Sequence, residues 1–336
     1  MTNLVYIGNK LISSGKTATT IDTLGTSLEA SGFKITYASS YKNTFLRLVH
    51  MLWTVFKQRQ STDYVLIDTY STLNFYYAYA VSKLCQLLGL KYIPILHGGN
   101  LPSRLDNSPK LSQSIFKKAY VNIAPSNYIK SAFNAEGYLN IQVIPNSIAI
   151  NNYPYQERVI DDIALLWVRS FSNLYNPKLA VDVMHSLKNK GYNVSLCMVG
   201  PDNDGSLMEV KAYAKQLGLD VSFTGKLTKQ AWIALSKNYN IFINTTNFDN
   251  TPVSIIEAMA LGLPIVSTDV GGLPFLIENN LDGQLVQPDD IESFVDAILN
   301  YKANPDKTQA IIHLARHKAE QFDWNTIKQK WISTLS

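Results

Sequence analysis

Short apolar runs alternate with longer, helix-patterned segments over the first 150 residues of the chain. Six runs have the composition of β-strands, and segments with helical periodicity separate them: LVYIG, FKITYAS, YVLID, KYIPILHGG, YVNIAPS and NIQVIPNSI. This alternation predicts βαβ units, whose parallel strands are covered by helices on both faces of the sheet. The first half of the chain is therefore predicted to form a doubly wound α/β domain.

The pattern stops at residues 151–162, NNYPYQERVIDD, a polar segment without periodicity that is typical of a linker. It then restarts with IALLWVRS, YNVSLCMVG, VSFTG, NIFINTT, LPIVSTD and GQLVQP. We therefore predict two Rossmann-like domains, at residues 1–152 and 160–318. Residues 319–336 are predicted to form a C-terminal helix that packs back toward the first domain. Ligands of such sheets bind beyond the carboxyl ends of the strands, which in two domains can face each other across a cleft.

Composition narrows the class of partner. Residues 1–150 carry a charge of +8 and residues 151–336 a charge of −4, within a total of +4. The first half is thus expected to face something anionic. The sequence has no Lys/Arg-rich block or nucleic-acid motif, so a membrane surface or a phosphate-bearing acceptor fits better than nucleic acid. Cys85 and Cys197 lie in apolar runs of different halves, which favours reduced thiols and a cytoplasmic location.

One helical segment of the first half allows two interpretations. Residues 41–59, YKNTFLRLVHMLWTVFKQR, have an apolar face and basic ends. The helix could pack on the sheet of its domain with its charges in solvent. It could also lie on an anionic membrane surface, near a lipid-linked acceptor. The sequence contains no run of 18 or more apolar residues, so no membrane-spanning helix is predicted.

Residues 247–272, NFDNTPVSIIEAMALGLPIVSTDVGG, combine several signals in one βαβ unit. Thr251 is predicted to be the N-cap of a helix, Pro252 its first residue and Gly262 the residue just after its end. The free N–H groups at such a helix start suit a diphosphate. Glu257 lies among apolar residues, where a carboxylate needs strong partners. A ribose diol would supply them, and so would a nearby Arg or Lys.

This stretch resembles the retaining family 4 glycosyltransferases of the GT-B fold. Their signature has two acidic residues eight positions apart, here Asp249 and Glu257, followed by EAMA.G.P and T..GG.P, and all these positions are present. A weaker resemblance covers most of the chain, including IPNSI, MVGPDNDG, VSFTGKLTKQ and FDWNTIKQKWISTL. It implies that the C-terminal domain binds a nucleotide-diphosphate sugar and the N-terminal domain binds the acceptor.

The resemblance also implies roles for single residues. Glu257 would hold the ribose, and Asp249, where the family usually has Glu, would lie by the donor sugar. Arg169, after IALLWV, would neutralise the leaving phosphate. The family's Lys is expected near Leu174, so Lys178 is the nearest candidate. The helix start would complete the donor site with Asn250, Thr251, Pro252, Val253 and Ser254. The Gly-Gly turn that follows would let a ligand approach the backbone closely.

Further candidates come from loops at strand ends. His97 follows a strand, and the resemblance implies that it faces the donor sugar and the acceptor. The loop with Gly15 and Lys16 would border the diphosphate, although its spacing does not match a P-loop. Asp202 and Asp204 have the spacing of a metal motif, but Asp, Asn and Gly are also usual loop residues. We expect no metal and no cofactor, because the family uses a UDP-, GDP- or ADP-sugar without metal.

The predicted activity is transfer of a sugar, with retention, to a hydroxyl of a glycan or lipid-linked glycan in bacterial surface-polysaccharide synthesis. A nucleotide-sugar epimerase on the same architecture is the first alternative. A catalytically weak glycan- or nucleotide-binding subunit is the second, because a shorter acid stands at position 249 and the family's Lys is missing. The enzyme is expected in the cytoplasm or on the inner face of the cell membrane.

Overall fold

The computed structural model describes residues 1–10 and 19–336, which form two compact units. The first unit comprises Met1–Pro145 and Trp324–Ser336, and the second comprises Asn146–Asp323. Each contains one sheet of six strands, and all the strand pairs described are parallel. The two doubly wound α/β sheets predicted from the sequence are therefore confirmed.

The first sheet has the strand order β2-β1-β3-β4-β5-β6. Its strands are β1 (Asn3–Ile7), β2 (Lys34–Ala38), β3 (Tyr64–Thr69), β4 (Tyr92–Leu96), β5 (Asn122–Ala124) and β6 (Ile141–Val143). The accompanying helices are α1 (Thr20–Ala30), α2 (Thr44–Gln58), α3 (Asn74–Leu87), α4 (Pro102–Asn107), α5 (Pro109–Phe116) and α6 (Asn127–Ala135). Side chains of β1 alternate between two apolar clusters, because successive residues of a strand point to opposite faces.

The second sheet has the strand order β12-β11-β10-β7-β8-β9. Its strands are β7 (Ile163–Val168), β8 (Val194–Val199), β9 (Val221–Gly225), β10 (Ile241–Asn244), β11 (Ile265–Thr268) and β12 (Gln284–Val286). Its helices are α7 (Pro177–Asn189), α8 (Ser206–Gln216), α9 (Lys229–Ser236), α10 (Val253–Ala260), α11 (Ile291–Ala303) and α12 (Pro305–Glu320). Leu165 and Trp167 pack in one apolar cluster and Leu166 packs in the other, so this sheet too is covered on both faces.

One further helix, α13 (Trp324–Leu335), follows the second unit in the chain but belongs to the first. Its residues Ile327, Trp331 and Leu335 are buried in the cluster that contains Leu4 and Tyr6 of β1. Burial of this kind stabilises the unit through removal of apolar surface from water. The first unit is therefore built from two separate parts of the chain.

Helix α2 packs on the first sheet, as one of the two interpretations of residues 41–59 requires. Its residues Met51 and Val55 are buried in one cluster with Val5 and Ile7. The outward side of α2 nevertheless carries large exposed apolar side chains. Across the residues that the structure describes, no helix combines the length and apolar character needed to cross a membrane.

Candidate active site

The second sheet has a switch point between β7 and β10. From β7 the chain proceeds through β8 and β9 on one side, and then through β10, β11 and β12 on the other. Ligands of open α/β sheets bind at the carboxyl ends of the strands at such a point. Arg169 directly follows β7, and Asp249 lies in the loop after β10. The fold thus brings these two predicted residues to the same crevice.

Arg169 and Asp249 form an ion pair at this crevice. The pair joins Nη2 of Arg169 to Oδ2 of Asp249, and both side chains are largely buried. Burial lowers the pKa of Arg169 to about 10. The guanidinium carbon lies 4.5 Å from the ring centroid of Tyr175, and Nε of Arg169 is buried without a hydrogen-bond partner in the described chain. The site therefore holds a paired cation with donor capacity left for a ligand.

The loop of Asp249 is held by the Gly-Gly turn. The N–H of Gly272 donates to the carbonyl oxygen of Asp249 at 2.9 Å. A Cβ on Gly271 would run into that carbonyl oxygen, and a Cβ on Gly272 would run into the carbonyl oxygen of Asn250. The turn was expected to admit a ligand. In the described chain the backbone that approaches both Cβ positions is that of the Asp249–Asn250 loop, and the approach of a ligand stays a prediction.

Helix α10 begins one residue later than predicted. Val253 is its first residue and Pro252 is the N-cap, with an extended backbone (φ −67°, ψ 117°), so Thr251 is not the cap. The hydroxyl oxygens of Thr251 and Ser254 are buried without hydrogen-bond partners among the described residues. Buried polar atoms are normally paired, so two unpaired hydroxyls at one helix start call for a ligand. Asn250, directly before them, is also buried.

Glu257 lies in the second turn of α10 and is 3% exposed. Its Oε1 accepts a hydrogen bond from the Tyr153 hydroxyl at 2.7 Å and pairs with Nζ of Lys229, the first residue of α9. Burial, and then the charge of Glu257, raises the pKa of Tyr153, so its hydroxyl stays a donor. The ion pair considered from the sequence is therefore present. Both contacts go to Oε1, and neither partner was predicted, because each is remote from Glu257 in the chain.

Lys178 lies elsewhere in the second unit. It is the second residue of α7, its side chain is exposed, and its Nζ is 4.3 Å from the ring centroid of Tyr213 on α8. No contact in the described part of the chain joins it to Arg169 or Asp249. Its role as a phosphate ligand stays a prediction. Leu174, where the resemblance would place the lysine, is 46% exposed.

Asp202 and Asp204, which have the spacing of a metal motif, close a loop. Oδ1 of Asp202 accepts the Gly205 N–H at 3.0 Å, and Oδ2 of Asp204 accepts the Asn173 N–H at 2.9 Å. Hydrogen bonds of this kind are the usual reason for Asp in turns. Within residues 1–10 and 19–336, no group of three or more His, Cys, Asp or Glu side chains is placed to hold a metal ion.

The first sheet has its own switch point, between β1 and β3. Asp68 lies in β3, and His97 directly follows the neighbouring β4. Nε2 of His97 is 2.8 Å from Oδ1 of Asp68, and the Tyr6 hydroxyl donates to the same oxygen at 3.0 Å. The His97 ring stacks on Tyr70, with centroids 4.8 Å apart. Sequence reasoning found His97 but missed Asp68, although an acidic residue ending a buried strand was visible in YVLID.

This geometry fixes how His97 can act. Asp68 and His97 are both buried, so a proton on Nε2 that bonds the carboxylate leaves Nδ1 of the ring as an acceptor. Burial, and then Asp68, raises the pKa of Tyr6 well above its usual range. Oδ2 of Asp68 has no hydrogen-bond partner in the described chain, and a Cβ on Gly8 would lie 2.6 Å from it. Gly15 and Lys16 lie outside the described residues.

Comparison with solved structures identifies the class of fold. HepE of Anabaena, solved in complex with UDP, matches with a TM-score of 0.81 and 19% identity, over 100% of this chain and 99% of that chain. Sucrose-phosphate synthase of Thermosynechococcus elongatus matches with a TM-score of 0.79 and 14% identity, over 99% and 98% of the two chains. The chain therefore has the GT-B fold.

Residues 156–318, within the second unit, match the model of the family Glycosyl transferases group 1. The putative colanic acid biosynthesis glycosyltransferase WcaL of Escherichia coli is 22% identical over 73% of this chain and 64% of its own length. The first curated relatives align over less than a third of their own length. The chain thus resembles the bacterial surface-polysaccharide glycosyltransferases.

Proposed function

We propose that the protein is a retaining glycosyltransferase that moves a sugar from a nucleotide-diphosphate sugar to a hydroxyl of a glycan or lipid-linked glycan. The observation that carries the proposal is the arrangement at the switch point of the second sheet. There the Arg169–Asp249 pair lies at the strand ends, and the start of α10 holds two buried hydroxyls that have no partner among the described residues. A cation and free donors at one helix start match a diphosphate.

The donor occupies the second unit in this proposal. Arg169 and the hydroxyls of Thr251 and Ser254 donate to diphosphate oxygens. Glu257 accepts a hydrogen bond from the ribose, while Tyr153 holds the carboxylate through Oε1. Of the other predicted donor residues, Asn250, Pro252 and Val253 supply the backbone of the helix start, while Gly15 and Lys178 stay predictions. Asp249 exchanges its contact with Arg169 for one with the transferred sugar.

Retention follows from attack on the face that the nucleotide leaves. The bond between C1 of the sugar and the β-phosphate oxygen breaks, and a bond from C1 to the acceptor oxygen forms on the same face. The acceptor proton passes to the departing phosphate oxygen. Arg169 neutralises the charge that develops on that phosphate, so the step is proposed to need no metal ion.

The acceptor half of the reaction is assigned to the first unit. His97 is held by Asp68 and can accept a hydrogen bond from a sugar hydroxyl through Nδ1. The excess of positive charge in residues 1–150 favours an acceptor that carries phosphate. The resemblance to WcaL supports a role in bacterial polysaccharide synthesis, and the UDP complex of HepE makes UDP the first nucleotide to test. A cytoplasmic location is part of the proposal.

The test is a thermal-shift screen against UDP, GDP and ADP and their sugar conjugates, with magnesium and with a chelator. We expect one nucleotide to raise the melting temperature with or without metal, and Glu257→Ala to abolish the shift. Glu209→Gln, a change of an exposed carboxylate in the same unit, is the matched control. No shift with any nucleotide would refute the donor site.

Turnover then separates the alternatives. A transferase converts the donor only when an acceptor or water takes the sugar, whereas an epimerase changes the donor sugar without an acceptor. A binding subunit would show the thermal shift without sugar transfer to any acceptor. The family match favours the transferase.

A further inference from the structure

The outward side of α2 has the polarity of a buried surface. Five apolar side chains project from it into solvent, which we call the α2 face: Phe45 (71% exposed), Leu46 (52%), Val49 (47%), Trp53 (60%) and Phe56 (41%). Phe45 and Leu46 are adjacent, and the following members come at steps of three or four residues, which places all five along one side of the helix. A surface helix of a soluble protein normally shows a polar side to water, whereas α2 is apolar both toward the sheet and toward the solvent.

The α2 face forms one apolar patch. Scaling the exposed fractions by typical side-chain areas gives roughly 500 Å², the size of the largest apolar patch on a typical monomer, and such patches are often functional. Between α2 and α3 the face continues into a groove of about 500 Å³. The groove is lined by Val49, Leu52, Trp53, Phe56, Ala80 and Leu84.

The charges around the α2 face have one sign. Between Glu29 and Asp63 the sequence has no acidic residue, and the same holds between Asp68 and Asp106, so α2 and α3 carry none. Exposed basic residues flank the face at Lys42, Lys57 and Lys83. The guanidinium of Arg59 lies 4.2 Å from the ring centroid of Phe56, at the border of the face. An apolar surface with a basic border is complementary to a partner that has an anionic outer layer above an apolar interior.

We propose that the α2 face docks the protein on an anionic lipid bilayer, with α2 lying in the plane of the interface. The five apolar side chains enter the boundary between headgroups and acyl chains, and the border lysines contact anionic headgroups. Trp53 lies at the level where tryptophan is favoured. A second copy of the chain is a poorer occupant, because it would bring two basic borders together. The proposal rests on the proposed function only in that docking would bring the first unit to a lipid-borne acceptor.

The experiment is flotation of the full-length protein with vesicles of phosphatidylcholine alone or mixed with phosphatidylglycerol, at low and high salt. We expect flotation with the anionic vesicles, weakened by high salt. The double variant Phe45→Ser/Trp53→Ser should lower the bound fraction about tenfold or more, because both losses remove inserted apolar area. Lys57→Glu should lower binding mainly at low salt.

Leu139→Ser is the matched control, because Leu139 is an 81% exposed apolar residue of the same unit outside the α2 face. Its binding should equal that of the unchanged protein. Quenching of tryptophan fluorescence by brominated lipid should fall sharply in Trp53→Phe, since Trp167, Trp232 and Trp331 are buried and the half-buried Trp324 lies outside the α2 face. Equal loss in Leu139→Ser, or no flotation with anionic vesicles, would overturn the proposal. So would self-association in sedimentation that Phe45→Ser/Trp53→Ser abolishes.

The result can be told apart from failure of the proposed function. The nucleotide-induced thermal shift reports on the second unit, and each variant should retain it. Flotation without any nucleotide shift would leave the docking surface standing and remove the donor site. A nucleotide-induced thermal shift without flotation would support the donor site and remove the docking surface.

Discussion

Gly272→Ala tests whether the Gly-Gly turn positions the donor loop. The backbone of Gly272 (φ −88°, ψ 0°) is one that alanine can adopt, so the substitution acts by contact and not by strain at φ. The added methyl group would run into the carbonyl oxygen of Asn250 and lie 2.8 Å from its carbonyl carbon. These are backbone atoms, which cannot rotate away as a side chain can.

The magnitude follows from the displacement. The loop of Asp249 and Asn250 would have to move by about 1 Å, and overpacking of this kind costs about 1–3 kcal/mol of stability. The same shift would stretch the 2.9 Å hydrogen bond from Gly272 to Asp249. A misplacement of about 1 Å in a positioning group can lower kcat/KM about 10²-fold. We therefore expect a large loss of sugar transfer with a modest loss of stability.

The assay is nucleotide release with donor and acceptor, together with urea unfolding. Gly218→Ala is the matched control, because Gly218 lies in the same unit at φ +67° with open space around its Cβ position. It should cost a similar 1–2 kcal/mol, roughly, through backbone strain and leave kcat/KM nearly unchanged. If Gly272→Ala keeps the kcat/KM of Gly218→Ala, the turn does not position the site.

Three further predictions concern single side chains. Tyr153→Phe removes a 2.7 Å hydrogen bond to the buried Glu257 carboxylate and should cost about 1.5–3 kcal/mol in urea unfolding; an unchanged unfolding free energy would contradict the contact. Asp249→Asn releases Arg169, so nucleotide affinity in the thermal-shift assay should not fall while turnover drops about 10²-fold, and weaker nucleotide binding would count against the exchange of partners. Burial raises the pKa of Cys85 from 9.0 to about 12, so the native state favours the protonated thiol. The contribution of this preference to the free energy of unfolding is complete below pH 9.0 and is lost as the pH rises toward 12. Urea titrations should therefore show the unchanged protein losing about 2.7 kcal/mol more than Cys85→Ala between roughly pH 8 and pH 11, and parallel curves would refute the shift.

The sheets could be predicted because their signal is local. Each apolar run found in the sequence became a strand, since parallel strands buried on both faces are almost continuously apolar. The end of α10 could also be predicted from a local signal, the glycine that follows it. Gly262 has φ +75°, and its N–H donates to the carbonyl oxygen of Met259. Thr251 was mistaken for the N-cap because its side chain suits a cap, whereas Pro252 holds the extended backbone that the cap needs.

Contacts between residues that are far apart in the sequence could not be predicted from its pattern. Tyr153 and Lys229 meet Glu257 from segments 104 and 28 residues away, and nothing in either segment marks that meeting. The direction of a long side chain also cannot be predicted from the sequence. Lys178, for example, lies over the ring of Tyr213. Periodicity also gave α2 an apolar side without saying whether that side faces the sheet or the solvent.

The position of α13 has a consequence for the folding of the chain during its synthesis on the ribosome. Ile327, Trp331 and Leu335 complete the core around Leu4 and Tyr6, yet the ribosome makes them only after the whole second unit. During synthesis the second unit can fold while the first still has an uncovered apolar surface. A nascent chain of this design therefore offers that surface to chaperones for most of its translation, and a fragment ending at residue 145 would keep it exposed.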